Sequence, residues 1–377
     1  MKKKRLLLAL VIIITFAGGF FVGAVSQNSK QTNSFSVNLN SESTKKTDIK
    51  EYPSRKLFQE KVLIGYIQDY RDPNTVPYDN LTHILFSFAH PTADGKLLFN
   101  GDIPLQNLRA TVNKAHEDNT KVMLAIGGWY HIHGGESYSY FRDAISNTAS
   151  RSKLVKEIQK VVQTENLDGI DIDFEHPRTK EDAQNLATFM KELNNILGEK
   201  ELSIAVNAKV HSVAGTEINN VQYEASMFND VDHVNIMAYD GQWDGEYNAA
   251  NLSPFEFNKN IVSFWTTLFD TNKLPREKLI LGIPSYAQAE DPNIKQVSYE
   301  AIIAQNPENS KKDTVKMNGT TYHYNGTLSV QKKTKLALDN GFGGMMMWEV
   351  GLDAKGDDSL TSVIANQLEL DSLYTAK

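Results

Sequence analysis

The chain has 377 residues, a formal net charge of −7 and no cysteine. Its 41% hydrophobic content can build a large core and excludes disorder of the whole, and the length suits one large domain or two medium ones. Mild acidity with no basic cluster in the body excludes a surface that tracks nucleic-acid phosphates, and the lack of cysteine excludes disulfides, thiolate metal sites, a nucleophilic thiol and a lipid-modified cysteine.

The chain opens "MKKKRLLLALVIIITFAGGFFVGAVSQ". Four basic residues precede an apolar run from Leu6 to Val25, the pattern of an export signal. A run of about 20 apolar residues is also long enough to span a bilayer. Residues 1–26 therefore read as a cleaved signal peptide, with small residues for cleavage near Ala24 or Ser26, or as an uncleaved anchor. The basic flank stays cytoplasmic in either case. The body is expected to be extracellular, either secreted or held on the outer face of the membrane by residues 6–25. Residues 27–56 are rich in Ser, Thr, Asn and Lys and read as a flexible tether. The folded body is expected over 57–370.

Within the body, strand-like apolar runs alternate with helix-like stretches. The runs are "VLIGYI" (62–67), "HILFSFA" (83–89), "VMLAIGG" (122–128), "GIDIDFE" (169–175), "LSIAVNA" (202–208), "HVNIMAYD" (233–240), "LILGIPSY" (279–286) and "GGMMMWEV" (343–350). Helical spacing marks "SKLVKEIQKVVQTENL" and "KEDAQNLATFMKELNNILGEK", the latter ending near Gly198. Strands alternating with helices imply parallel pairing. Eight such units predict an α/β fold, a (β/α)8 TIM barrel, with an open doubly wound sheet as the alternative. No Gly-x-Gly-x-x-Gly follows the first strand, so a dinucleotide site has no support. The longest connection, 287–340, is a small insertion between strands seven and eight. It contains a hairpin pattern, "NGTTYHYNGT", on the face where barrel sites form.

The fourth run, "LDGIDIDFEHP", sets carboxylates among core residues. Side chains alternate along a strand. Ile170, Ile172 and Phe174 should face the helices, and Asp171, Asp173 and Glu175 the barrel interior. Each pair advances about 6.6 Å, which brings Glu175 to the mouth, where barrel enzymes keep their chemistry. Asp168 starts the strand and serves its turn. Three acids so close cannot all ionise cheaply, so at least one pKa must rise and a proton must be shared. A carboxylic acid held protonated near neutral pH is a general acid. A solvated acidic edge or hard-cation site would instead cluster its oxygens in a loop.

Flat aromatic side chains that also offer a polar atom make stacking surfaces for a ligand. Trp348, Trp129, Tyr66 and Tyr239 lie at or near the C-terminal ends of candidate strands and suit such a site. Trp243 lies just past "MAYD". Trp265, on a helical pattern, is assigned to the core. His131 and His133 in "YHIHGG" have no third ligand nearby and read as loop residues beside the groove. No metal and no cofactor is expected.

Asp168-Gly169-x-Asp171-x-Asp173-x-Glu175 resembles the acidic signature of glycoside hydrolase family 18, the chitinase family. The resemblance extends over about 60–365. "AIGGW" (125–129) is similar to the family's Ser-x-Gly-Gly strand and its following Trp, "MAYD" (237–240) to its Met-x-Tyr-Asp strand, and "GGMMMWEVGLD" (343–353) to its last strand. The resemblance implies an exported hydrolase of β-1,4-linked N-acetylglucosamine polymers, acting by substrate-assisted catalysis. Glu175 would protonate the glycosidic oxygen, Asp173 would orient the substrate's acetamido group, Tyr239 would donate to its oxygen, and Asp171 would exchange a proton with Asp173. Trp348 would floor the sugar site, with Asp240, Trp129, Tyr66, Trp243, Met237 and Tyr286 around it.

Two positions depart from the family pattern. Ala125 stands where a serine is usual, removing a hydroxyl expected to reach the deep aspartate, a bond Tyr66 is expected to supply. Tyr286-Ala287-Gln288 stands where Tyr-Gly-Arg is usual, removing a sugar-contacting arginine. The expected partner is an oligosaccharide or polysaccharide containing N-acetylglucosamine, met by a monomer. A sugar-binding lectin, and an endo-acting hydrolase of N-glycans or peptidoglycan, are the alternative readings.

Overall fold

A computed structural model of the protein describes residues 61–208 and 223–375. The export segment and tether read at 1–56 lie outside the described residues. Among the described residues no helix is long and apolar enough to cross a membrane.

Eight parallel strands form the centre: β1 (Val62–Gln68), β2 (His83–Pro91), β3 (Lys121–Gly127), β4 (Gly169–Asp173), β5 (Glu201–Asn207), β6 (His233–Met237), β7 (Leu279–Pro284) and β8 (Gly344–Trp348). Each pairs with its neighbour in chain order, and β1 pairs with both β2 and β8. The sheet is therefore a closed barrel and not the open alternative. Several strands stop earlier than their apolar runs suggest: β4 ends at Asp173, β6 at Met237, β7 at Pro284. Apolar periodicity reports burial: Phe174, Ala238 and Tyr239 are buried past the ends of β4 and β6 without being paired in the barrel, and Tyr286, past β7, pairs outside it.

Helices α1 (Asp102–Glu117), α2 (Tyr138–Ser146), α3 (Thr148–Thr164), α4 (Lys180–Leu197), α5 (Phe255–Thr271), α6 (Tyr299–Gln305), α7 (Thr327–Asp339) and α8 (Leu360–Thr375) accompany the strands. Their boundaries follow local chemistry. Asn147 caps α3 by accepting from the Ser150 N–H at 3.0 Å. Thr179 and Asp182 form a capping box at α4, which ends at Gly198 in a left-handed conformation. Apolar side chains split into two layers. Ile170, Ile172 and Phe174 join the layer between strands and helices. Trp265 is buried in that layer against Phe228 and Phe269. A smaller inner layer of Ile64, Tyr66, Leu85, Met123, Ala125, Tyr239, Ile280 and Met346 fills the barrel.

Between β7 and β8 a separate sheet orders Val297–Ser298, Tyr286–Ala289, Thr320–His323 and Thr314–Met317 side by side. Its hairpin turns at Asn318-Gly319, both with positive φ. The Tyr247 hydroxyl donates to the Ala289 carbonyl at 2.6 Å, tying this sheet to the loop after β6.

Barrel closure depends on backbone approach at the β8–β1 seam. A Cβ on Gly344 would overlap the Val62 carbonyl oxygen. Gly344→Ala is expected to cost ~2 kcal/mol through forced strand separation, read as a melting temperature lower by roughly 5 °C in a thermal scan. An unchanged melting temperature would show that the seam is not close-packed.

Candidate active site

The β4 acids sit as strand alternation requires. Asp171 and Asp173 are buried inside the barrel, and Glu175 lies past the strand end, only partly buried. The outward residue Phe174 is stacked against Tyr138 and Phe141, with ring centroids 5.7 and 5.0 Å away. The Tyr138 hydroxyl donates to Asp182 at 2.8 Å, and the Arg178 guanidinium lies 3.9 Å from the Tyr138 ring centroid. The α4 cap, Phe174 and Tyr138 thus clamp the segment that carries Glu175. On the β3 side, Gly127 pairs with Asp173 and the Gly128 N–H donates to the Asp173 carbonyl at 2.9 Å. A Cβ on Gly127 would strike that carbonyl, and its φ is +122°. The Gly-Gly pair is what lets the end of β3 lie against the acid strand.

Asp171 is the best-bonded acid. Tyr66 donates its hydroxyl to Oδ2 at 2.8 Å. Ser203 donates to Oδ1 at 2.5 Å, and Asn235 Nδ2 donates to the same oxygen at 3.1 Å. Burial pushes the Asp171 carboxyl up from 3.8 to about 6, against the pull of these donors. Asp173 has little such help. Its Oδ1 is buried and accepts no hydrogen bond among the described residues. Burial, then the nearby charges of Glu175 and Asp171, push it well above the usual carboxylate range.

Tyr239 is buried, and its hydroxyl approaches the Met346 sulfur at 3.9 Å, a weak acceptor. Burial and the charges of Asp240 and Asp173 raise it well above the usual tyrosine value, so it stays a neutral donor. Trp348 stacks on Phe88 at 5.7 Å and tilts against Tyr66 at 5.5 Å. Its backbone is held from behind. The Ser285 N–H donates to the Trp348 carbonyl at 3.0 Å, and the buried Glu349 carboxylate accepts from Arg71 Nε at 2.9 Å. Met237 and Trp348 both pack on the inner layer. Asp240 has a left-handed backbone, and its Oδ1 accepts from Tyr286 at 2.6 Å and Gln242 at 3.1 Å. Tyr286 thus reaches the site through Asp240. Trp129 and Trp243 are 42% and 40% exposed, large rings presented to solvent. Trp243 packs on Tyr247 at 4.8 Å.

Ser203, Asn235, Phe88 and the Arg71–Glu349 pair were not singled out from sequence. Ser203 and Asn235 were detectable in principle, as polar residues at inward positions of otherwise apolar strands. His131 is a loop residue whose ring stacks on Tyr140 at 3.7 Å and whose Nε2 meets the Pro91 carbonyl at 3.1 Å. One group of metal-ligand type comes together among the described residues, His83, Glu201 and His233. It lies at the opposite, N-terminal end of the strands, and the Lys121 ammonium already occupies Glu201.

The raised value of Asp171 has a stability consequence. A carboxyl whose folded value lies above its unfolded one destabilises the fold as pH rises from about 4 through 6. Asp171→Asn, with Nδ2 turned to the Tyr66 oxygen, is expected to stabilise the protein at pH 7 by ~1–3 kcal/mol. The gain should vanish below pH 4 in melts across pH 3 to 8. A gain independent of pH would mean that Asp171 is not the titrating group.

The chain resembles known proteins over this same span. The family described as Glycosyl hydrolases family 18 matches residues 62–353. Chitinase 1 of Aphanocladium album is 26% identical over 352 residues, 77% of this chain and 80% of that protein. A chitinase-like effector of Moniliophthora roreri is 29% identical over 229 residues, and the match spans about half of it, 53%. The crystal structure of a family 18 chitinase from the chitin utilization locus of Flavobacterium johnsoniae is 27% identical, covers 82% of this chain and 94% of that one, and superposes with a TM-score of 0.67. With the matched span covering well over half of its length and the barrel carrying the acid row at its fourth strand, the chain belongs to glycoside hydrolase family 18.

Proposed function

We propose that the protein is an exported glycoside hydrolase that cleaves β-1,4-linked N-acetylglucosamine polymers, chitin and its oligosaccharides, by substrate-assisted retaining catalysis. The observation that carries this reading is the acid row: Asp171 held by three donors, a buried Asp173 whose Oδ1 accepts no hydrogen bond among the described residues, and Glu175 past the strand end. Names of relatives, chitinases among them, support the substrate class.

In this mechanism Glu175 gives its proton to the glycosidic oxygen as the bond to C1 breaks. The substrate's own acetamido carbonyl oxygen forms the new bond to C1. Asp173 accepts the acetamido N–H on its open oxygen and stabilises the positive charge of the cyclic intermediate. Tyr239, a neutral donor whose hydroxyl meets the weak thioether acceptor of Met346, hydrogen-bonds the acetamido oxygen. Glu175, now a carboxylate, takes a proton from the water that opens the ring and restores the configuration at C1. Trp348, backed by Phe88, carries the sugar ring. Trp129 and Trp243 extend the surface to either side, which favours a shallow groove and cleavage within the polymer. The N-terminal segment would place this body outside the cell.

A lectin is the second reading, favoured by the departures at Ala125 and Gln288. The retained Glu175, Asp173 and Tyr239 favour the enzyme.

The full chain and its Glu175→Gln variant, incubated with chitotetraose from pH 4 to 8 with products read by mass spectrometry, separate these readings. The wild type is expected to cleave, and the variant to lose a factor of ~10²–10⁴ while still binding. Binding without cleavage by the wild type would make the protein a lectin. Neither binding nor cleavage would move the substrate to an N-glycan core or peptidoglycan.

A further inference from the structure

The Asp171 carboxylate lies between two neighbouring strands that differ in what they offer. Its register partner on β3 is Ala125, which has no donor. Its register partner on β5 is Ser203, whose hydroxyl reaches Oδ1 at 2.5 Å. Both positions are completely buried. We propose that Ser203 is a positioning residue of the acid row: its hydroxyl, delivered from β5, does the work that a hydroxyl at 125 would do from β3, and fixes Asp171 as the anion against which Asp173 is set. The inference rests on the hydrolase reading for its effect on rate and on geometry alone for its effect on Asp171.

Ser203 does not act by itself. Asn235, across the next register step on β6, donates to the same Oδ1 at 3.1 Å and lies 3.5 Å from the Ser203 hydroxyl. Tyr66 on β1 holds the other oxygen. The remaining charged or titratable groups that face Asp171 are few. Asp173 shares its strand, Tyr239 stands beyond it on the mouth side, and His233 acts from the base of β6. β2, β3 and β8 contribute Leu85, Met123, Ala125 and Met346 to the inner layer, and a further hydroxyl at this level, Ser87 of β2, which pairs with Ala125, donates to the Leu85 carbonyl at 3.2 Å. With no cation in contact among the described residues, the charge of Asp171 depends on these three hydrogen bonds. The hydroxyl is also the shortest of them, and it can be moved from one strand to the other by two substitutions.

Those substitutions make the test. In the full chain, Ser203→Ala is expected to lower the chitotetraose turnover number about tenfold, the loss of one buried hydrogen bond to a charge. Its KM should change little, because Ser203 touches no sugar. The acid limb of its pH–rate profile should move up by about one pH unit, since a lost donor favours the protonated carboxyl. Adding Ala125→Ser to Ser203→Ala should bring both rate and limb back toward the wild type, which a merely space-filling role would not do. In parallel, the 13C-labelled Asp carboxyl titration by NMR reports Asp171 whether or not the sugar is cut. Its midpoint should rise in Ser203→Ala and fall again in the double variant. A wild type that binds but does not cleave, with the midpoints moving as stated, sinks the hydrolase reading and leaves the positioning role standing. Folded variants whose midpoint and limb stay at the wild-type values, or a double variant that is not rescued, overturn the proposal.

Discussion

Everything at the mouth of this barrel depends on keeping one carboxylate buried. Asp171 sits inside a closed sheet, where an ion without partners would be very costly. Tyr66, Ser203 and Asn235 supply three donors from three strands, and only a closed barrel brings β1, β5 and β6 to the same point. Once Asp171 is held, its neighbour two residues on inherits the consequence. Asp173 lies near a fixed negative charge and its buried Oδ1 accepts no hydrogen bond among the described residues, so it is the harder of the two to ionise.

That asymmetry divides labour among like residues. Two aspartates on one strand have the same chemistry in water and different chemistry here. Among the described residues three donors reach Asp171 and none reaches the buried Asp173 Oδ1, since the pleat advances Asp173 toward the mouth, where the β3 glycines offer backbone and no side chain. Glu175 is a third case. It lies past the last paired residue, partly open, on a segment clamped by Phe174, Tyr138 and the α4 capping box. A helix cap more than one turn away thus contributes to where a mouth carboxyl stands.

The aromatic platform at the mouth is built in the same way. Trp348 is the last residue of β8, yet its position is set by groups from other strands: Phe88 beneath it, Tyr66 beside it, and Ser285 and Arg71 on the backbone and side chain of its neighbourhood. Asp240 is fixed the same way, through Tyr286 from the strand that begins the inserted sheet. The insertion is therefore not separate from the site. It holds one of its carboxylates.

The sequence by itself determined the eight units, the inward acids of β4 and the aromatics at strand ends. These follow from periodicity and spacing, which are local properties of the chain. It also showed that Ala125 lacks a hydroxyl and that Tyr66 was available to Asp171. What it did not show was that Ser203 and Asn235 close on the same carboxylate, that Phe88 backs Trp348, or that Tyr286 serves Asp240. These contacts join residues 32 to 260 positions apart, and register across the closed sheet decides them. Strand ends likewise escaped the sequence, since burial continues past the last paired residue at Asp173 and Met237. Pattern along the chain sets which face a side chain takes; only closure of the barrel sets which side chains it meets there.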